Sequence, residues 1–316
     1  MLVTSGTASP IGGVFRFVRL TPNTQINSKG ETLFYSSVYD VPNIGIADGL
    51  FLITRDGIKK IVVSGDVLPD NREAYIPVGS LNDKGEVAFT SKKTNPFGED
   101  DSGIYLYSEG QIKKILFAGD PTPVGGKFEP LSKVFEDIPE ARINNNSAIA
   151  FKAAVKKGRT PLAIFLASPK ALLKVVAVGD QVDEGKIADI GSFALNDLGQ
   201  VAFFAFDKDH KTLGVYKATP VTPNIQSVKL KQKKGKLELR VNGSGFITND
   251  TVIEINGVAL DVMIYPEDAR EEGGTSVQAI SRDGRLEELL QAGQTAQVTV
   301  FNALTNQRSS VKEFVR

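Results

Sequence analysis

The chain has 316 residues with 37 basic and 37 acidic side chains, 41% hydrophobic residues, 30 glycines and 15 prolines, and it contains no cysteine, no tryptophan and one histidine. That is material for two domains of about 150 residues, each with its own core. Zero formal net charge gives nucleic acid and anionic membranes no electrostatic hold, and the missing cysteines and lone His210 exclude disulfides, thiolate chemistry and a two-histidine zinc site.

In chain order, the first segment, Leu2-Val3-Thr4-Ser5-Gly6-Thr7, is a degenerate copy of a motif that returns as Val62-Val63-Ser64-Gly65-Asp66, Leu116-Phe117-Ala118-Gly119-Asp120 and Ala177-Val178-Gly179-Asp180. It has neither the basic segment nor the apolar run of a secretory signal. The chain therefore reads either as cytoplasmic or as a mature or truncated form of an exported protein. No stretch approaches the roughly 20 apolar residues of a membrane span.

A second motif alternates with the first: an aliphatic residue, Asn, a turn, then a hydrophobic pair ending in Phe. It begins at Ile26-Asn27, Leu81-Asn82, Ile143-Asn144 and Leu195-Asn196, with the asparagines 55, 62 and 52 residues apart. Gly30, Gly85 and Gly199 close three of these turns, Ser147 replaces glycine in the other, and Phe34, Phe89, Phe151 and Phe203 end the four copies. Between the motifs lie Gly49-Leu50-Phe51-Leu52, Gly103-Ile104-Tyr105-Leu106, Ala163-Ile164-Phe165-Leu166 and Gly214-Val215-Tyr216.

Such short Val-, Ile-, Phe- and Tyr-rich runs, bounded by Asp-Gly, Glu-Gly and Asn-x-x-Gly, predict strands. In each Asn-x-x-Gly the Asn side chain bonds its own backbone and starts a turn that glycine finishes, so these residues read as turn geometry rather than ligand contacts. Four short strands repeated in tandem predict an all-β chain whose residues 1–218 form a small, four-bladed β-propeller. The chain opens on the strand that ends a repeat and its last repeat is one strand short, so Met1–Gly6 is expected to complete the final blade and cover its edge, the alternative being an incomplete ring or solenoid whose earlier blades are missing.

The N-x-x-G-x-x-A-F pattern, with Gly-Asp and Pro-x-Gly-Gly-x-Phe between copies, resembles a tandem repeat of bacterial secreted and surface-anchored proteins. The connecting motif stands at Pro10-Ile11-Gly12-Gly13-Val14-Phe15 and Pro123-Val124-Gly125-Gly126-Lys127-Phe128 and reads as lost after Gly65-Asp66 and Gly179-Asp180. The resemblance implies an extracellular or cell-surface setting, as part of a longer surface protein, and transfers no activity.

Thr219-Pro220-Val221-Thr222 breaks the repeat as a stiff linker (219–222). Beyond it, Leu237–Val241 and Ala296–Val300 alternate strictly, and Val252–Val258 runs into an Asn256-Gly257 hairpin turn, so 223–316 predicts an Ig-like β-sandwich. Pro223–Val228, Val241–Phe246, Ile255–Val258 and Leu289–Asn302 resemble the IPT/TIG family, whose members in bacterial extracellular proteins act as spacers or docking modules. Some relatives bind DNA, a use opposed here by 12 basic against 12 acidic residues in 223–316.

Among candidate sites, Asp66, Asp120 and Asp180 occupy equivalent positions and could ring a channel mouth to bind a cation or a sugar, or else accept backbone N–H bonds in the connecting turn. Glu99, Asp100 and Asp101 could help hold Ca²⁺, although their spacing is not that of an EF-hand loop. His210 falls in a polar loop with no serine elbow to serve. The basic run Lys229–Lys236 lacks the interleaved aromatics of a nucleic-acid patch. No catalytic residue or cofactor motif is found beyond that Ca²⁺ option. The chain reads as a non-enzymatic binding or scaffold protein for a glycan or protein ligand, with a carbohydrate-active enzyme using carboxylates at the channel mouth as the alternative.

Overall fold

The structure, a computed structural model, describes residues 3–19, 25–75, 78–94, 100–129, 141–233, 236–247, 249–260, 274–280 and 284–316, with backbone alone at 17–19, 92–94, 100–101, 233, 274–275 and 280. The described chain is all-β apart from one five-residue helix, α1 (Arg285–Leu289). It divides into two compact units, one of 1–195 and 201–218, the other of 196–200 and 219–316.

The first unit consists of four antiparallel sheets taken in chain order. The first sheet runs β1 (Val14–Arg19), β3 (Thr32–Val41), β4 (Gly45–Thr54), β5 (Gly57–Val63), with β2 (Gln25–Ile26) also on β3. The second is β6 (Val78–Leu81), β7 (Val87–Thr94), β8 (Asp100–Ser108) and β9 (Gln111–Phe117). The third is β10 (Lys127–Phe128), β12 (Ile149–Lys156), β13 (Leu162–Ala167) and β14 (Leu172–Ala177), with β11 (Ala141–Ile143) beside β12. A small hairpin of β15 (Gln181–Val182) and β16 (Gly185–Lys186) leads to the fourth, β17 (Asp189–Leu195), β18 (Val201–Phe206) and β19 (Thr212–Ala218).

Strand alternation sends successive side chains to opposite faces, so each sheet has two apolar faces to cover. Leu33, Tyr35, Leu50 and Leu52 of the first sheet share one core with Val87, Phe89 and Tyr105 of the second. Ala88, Ile104 and Leu106 on the second sheet's other face join Ile149, Phe151 and Phe165 of the third. Phe34, Phe89, Phe151 and Phe203 are all buried, and each lies against the aromatic ring of the neighbouring strand, Phe51, Tyr105, Phe165 or Tyr216, at 5.3–5.8 Å. Along the stack, Leu50, Ile104 and Ile164 are 3%, 0% and 0% exposed, whereas their counterpart Val215 is 66% exposed and its cross-strand neighbour Phe204 43%.

No described sheet closes on itself. Met1 and Leu2 lie outside the described residues, Val3 packs on the cluster of Phe15, Phe34 and Phe51, and the Gly6 N–H donates to Phe15 O at 2.7 Å. The expected pairing of this segment with the final sheet is thus not seen among the described residues, where β19 pairs with β18 alone. Its hydrogen bonds are instead those of a connector running into the first sheet.

The second unit contains two sheets around one core. One is β20 (Asn224–Lys233), β21 (Lys236–Phe246) and β24 (Gly274–Ile280). The other is β23 (Val258–Leu260), β22 (Thr251–Ile255), β25 (Thr295–Asn302) and β26 (Gln307–Arg308), with β27 (Lys312–Val315) on β25. Leu239, Val241 and Val277 from the first meet Ile253, Ile255, Val298 and Val300 from the second. Asn256 at φ 50° and Gly257 at φ 79° make the β22–β23 turn, a conformation asparagine and glycine tolerate best.

Candidate functional site

The three aspartates of the Gly-Asp motif carry one set of bonds. Oδ2 of Asp66, Asp120 and Asp180 accepts the backbone N–H three residues earlier, of Val63, Phe117 and Ala177, at 2.8–2.9 Å. Each carboxylate also meets a lysine six residues earlier, Lys60 at 2.9 Å, Lys114 at 3.2 Å and Lys174 at 3.2 Å. In the degenerate copy Thr7 takes the same place, its Oγ1 accepting the Thr4 N–H at 3.1 Å. Exposed ion pairs add at most about 1 kcal/mol each, and their effect here is to neutralise the carboxylates while they hold the turn.

The repeated asparagines do more than close their own turns. Asn82 Oδ1 accepts the N–H of Lys84 at 3.0 Å and of Glu86 at 2.9 Å, and its Nδ2 donates to Glu86 Oε2 at 2.7 Å. The second Nδ2 hydrogen goes to Asn144 O at 2.9 Å, in the turn of the next repeat. Asn27 repeats the arrangement, bonding Lys29 N, Glu31 N and Glu31 Oε2, and reaching Asn82 O at 3.0 Å. Alongside, the Ser28 N–H donates to Asp83 Oδ1 and the Asp83 N–H to Asn145 Oδ1, both at 2.7 Å. Three turns are therefore stacked by side chains that no single turn requires.

Glu86 sits inside this stack. Burial opposes its ionisation, but hydrogen bonds from Ser147 (2.6 Å), Asn82 and Ser108 (2.9 Å), with the charge of Lys84, outweigh burial and hold the carboxyl below its usual range. Asp83 is lowered too, first by the Ser28 backbone N–H.

The connectors between sheets are where the repeats diverge. In the first and third, Ser9 N bonds Gly13 O and Gly12 N bonds Ser9 O, matched by Thr122 N to Gly126 O and Gly125 N to Thr122 O. The second makes the same pair, Leu68 N to Arg72 O at 2.7 Å and Asn71 N to Leu68 O at 2.9 Å, with Asn71 at φ 63° where Gly12 and Gly125 have 84° and 77°. The Pro-x-Gly-Gly-x-Phe residues are lost after Gly65-Asp66, as the sequence indicates, but the hydrogen bonds of the turn remain. Pro69-Asp70-Asn71-Arg72-Glu73-Ala74 keeps the two turn hydrogen bonds and one left-handed residue, Asn71, asparagine being the non-glycine residue best suited to that φ, but gives up the second left-handed position, where Gly13 and Gly126 have φ 69° and 71° and Arg72 stands at no positive φ. After Gly179-Asp180 the connector is instead the β15–β16 hairpin.

A cavity lies beside those exchanges. Phe15 and Phe128 in the intact motifs add a third ring to each aromatic pair, Phe15 at 5.0 Å from Phe51 and Phe128 at 5.0 Å from Phe165. Their counterpart Ala74 is buried among Leu68, Phe89 and Tyr105 and supplies no ring. Beside it lies a cavity of about 250 Å³ lined by Leu68, Tyr105 and Phe117 together with Asn71, Arg72, Glu73 and Ser91. The Arg72 guanidinium stands 3.1 Å over the Phe117 ring centroid, Tyr105 Oη donates to Asp70 Oδ2 at 3.1 Å, and Ser91 Oγ accepts the Tyr75 N–H at 2.9 Å. The aromatic exchange follows the connector: Phe51 and Phe165 face Pro-x-Gly-Gly-x-Phe, while Tyr105 and Tyr216 face acidic connectors. Tyr216 Oη donates to Glu184, whose hydrogen bond and charge push the phenol up to about 12. The cavity offers stacking and hydrogen bonding.

Of the other candidates, Glu99 lies outside the described residues, and Asp100 and Asp101 are described only as the backbone opening β8. Among the described residues no cluster of three or more His, Asp or Glu could hold a metal ion. His210 is exposed at φ 57° in a turn closed by Asp207 Oδ1, which accepts the N–H of Asp209 and Lys211. The described lysines of the basic run flank the β20–β21 hairpin, with 234–235 outside the described residues.

A model of a family of unknown function, DUF7453, matches residues 1–221. The chain belongs to this family. The DUF7453 match thus spans the four sheets and their connectors, including the cavity. No curated protein matches. Similar solved structures include a hypothetical protein from Leishmania major, 10% identical over 69% of this chain and 79% of that one, with a TM-score of 0.29. Another is the β-propeller domain of the Trilobed protease from Pyrococcus furiosus, described as having an open velcro topology, 10% identical over 74% and 96%, with a TM-score of 0.27.

Among the described residues no helix is long and apolar enough to cross a membrane.

Proposed function

We propose that this chain is a non-enzymatic recognition and scaffold protein of the bacterial exterior or cell surface, binding a glycan or a protein. In this reading the four sheets are blades of a small β-propeller and the second unit is an Ig-like domain of the IPT/TIG type acting as spacer or docking module. The observation that carries it is how the repeated polar residues are used: Asp66, Asp120 and Asp180 each bind a backbone N–H and a lysine. Catalysis by paired carboxylates needs two groups in different environments, with separated pKa values. Three carboxylates in one arrangement are turn parts. The described stretch where repetition gives way to a polar, half-apolar cavity is the second connector, and recognition is assigned there.

The test is a glycan and polysaccharide array probed with the intact chain, with and without Ca²⁺, with product release followed on every hit. Saturable binding without turnover is the expected result. Turnover would replace this reading with the carboxylate enzyme, and an empty array would move the search to protein partners.

A further inference from the structure

We infer that the cavity at the second connector is a binding site for one pyranose ring of a carbohydrate. This rests on the recognition reading above and narrows it to a place and a ligand class.

The argument begins with what the repeat puts there elsewhere. Phe15 and Phe128 each set a six-membered ring edge-on against the aromatic of the neighbouring strand, with interplanar angles of 85° and 76°. Position 74 occupies the same point of the backbone: the Gly65 N–H donates to Ala74 O as Gly6 does to Phe15 O and Gly119 to Phe128 O. Replacing phenylalanine by alanine there takes away a ring and leaves the backbone in register. The ring missing at 74 would lie against Tyr105, which lines the neighbouring cavity with Leu68 and Phe117, and a recess with aromatic and aliphatic walls is a ready site for a ring-shaped ligand.

The other exchanges decide which kind of ring. Ile11 and Val124 correspond to Asp70, the second glycines to Arg72, and Val14 and Lys127 to Glu73. Leu68 and the Tyr105 ring stay as an apolar floor, the face of Phe117 is covered by the Arg72 guanidinium, and Asn71, Arg72, Glu73 and Ser91 supply planar amide, guanidinium, carboxylate and hydroxyl groups around it. An aromatic side chain of a protein partner would satisfy the floor and desolvate that polar lining without bonding it, which is costly. A pyranose is apolar on its C–H face and carries donors and acceptors around its edge, so it meets both. At about 250 Å³ the cavity is smaller than the ~300–1,000 Å³ of sites for drug-sized molecules, so one sugar unit enters and the chain beyond it lies outside.

The experiment measures binding to the intact chain of methyl glycosides of glucose, galactose, mannose and glucuronic acid, alongside phenol and indole, by ligand-observed NMR and calorimetry. Ala74→Phe restores the ring found in the first and third repeats. At least one methyl glycoside is expected to bind with a Kd on the order of 1 mM, as a single sugar does. Ala74→Phe should weaken it at least tenfold without lowering the melting temperature, and Asp180→Asn, in the equivalent turn with no contact to the cavity lining, should leave it unchanged. Should Ala74→Phe melt lower than the parent, the smaller Ala74→Leu replaces it as the blocking variant. Undiminished glycoside binding by a folded blocking variant overturns the site while leaving the recognition reading standing, provided the array still gives hits. Phenol or indole binding in place of every glycoside overturns the ligand class, and no binding by any probe overturns the proposal.

Discussion

Replacing Asn82 by alanine measures the stacking of turns directly. Its side chain makes four hydrogen bonds and is 4% exposed, so water cannot take over the partners it leaves. Three are to neutral groups, at about 1 kcal/mol each, and one is to the Glu86 carboxylate at about 1.5 kcal/mol or more, so Asn82→Ala should cost about 4–5 kcal/mol. Asn82→Asp keeps both acceptor bonds to Lys84 N and Glu86 N but removes the donor to Asn144 and sets a second carboxylate against Glu86. It should therefore also be strongly destabilising. Asn196 accepts the same two local N–H bonds, from Leu198 and Gln200, but its turn is exposed, and Asn196→Ala should cost about 1 kcal/mol, as the loss of a surface cap does. Urea unfolding followed by far-ultraviolet circular dichroism suits a chain without tryptophan. Equal, small losses for Asn82→Ala and Asn196→Ala would refute the stacking argument, because both variants would then be reporting local turn geometry alone.

Phe128→Ala removes a buried ring that contacts two others and should cost about 3–5 kcal/mol in the same assay. Gly126→Ala should be worse than Gly119→Ala: both carry a positive φ, costing about 1–2 kcal/mol, but a Cβ at 126 would lie 2.3 Å from Lys156 O whereas one at 119 meets nothing within 4 Å. Equal melting temperatures for those two variants would contradict the close approach. The depressed pKa of Glu86 stabilises the fold above the ordinary carboxylate range, and that contribution disappears as pH falls through the folded value. Stability measured from neutral to acidic pH should therefore fall less steeply in Glu86→Gln than in the parent, and parallel curves would argue against it.

Strands and turns were readable from the residues because period-two runs and Asn-x-x-Gly turns are local, and Asp66 binding a backbone N–H is as local as a turn can be. The contact from Asn82 to Asn144 was not readable. It joins residues 62 apart, and no pattern within one repeat states which neighbour will lie beside it. The turn of the second connector was not readable for a different reason. Matching by residue identity treats Pro-Asp-Asn-Arg-Glu-Ala as unrelated to Pro-x-Gly-Gly-x-Phe, whereas the two turn hydrogen bonds survive with one left-handed residue, Asn71, and without the second that Gly13 and Gly126 supply. One signal was available: Tyr105 and Tyr216 replace Phe51 and Phe165 in just the repeats whose connector departs from the motif. The pairing expected of Met1–Gly6 with the final sheet is not seen among the described residues, and an edge without a partner in the sequence does not identify the segment that will fill it.

The direction of the asparagine stack has a bearing on synthesis. A chain emerges from its N-terminus, so Asn27 is made before the carbonyl it will bond, which follows 55 residues later, and Asn82 then waits another 62 residues for Asn144. Each turn can close by itself through its own Asn side chain, but its last donor is satisfied only when the next repeat arrives. The nascent protein should therefore consolidate in steps, one repeat behind its own growing end, with the newest turn always the least secured.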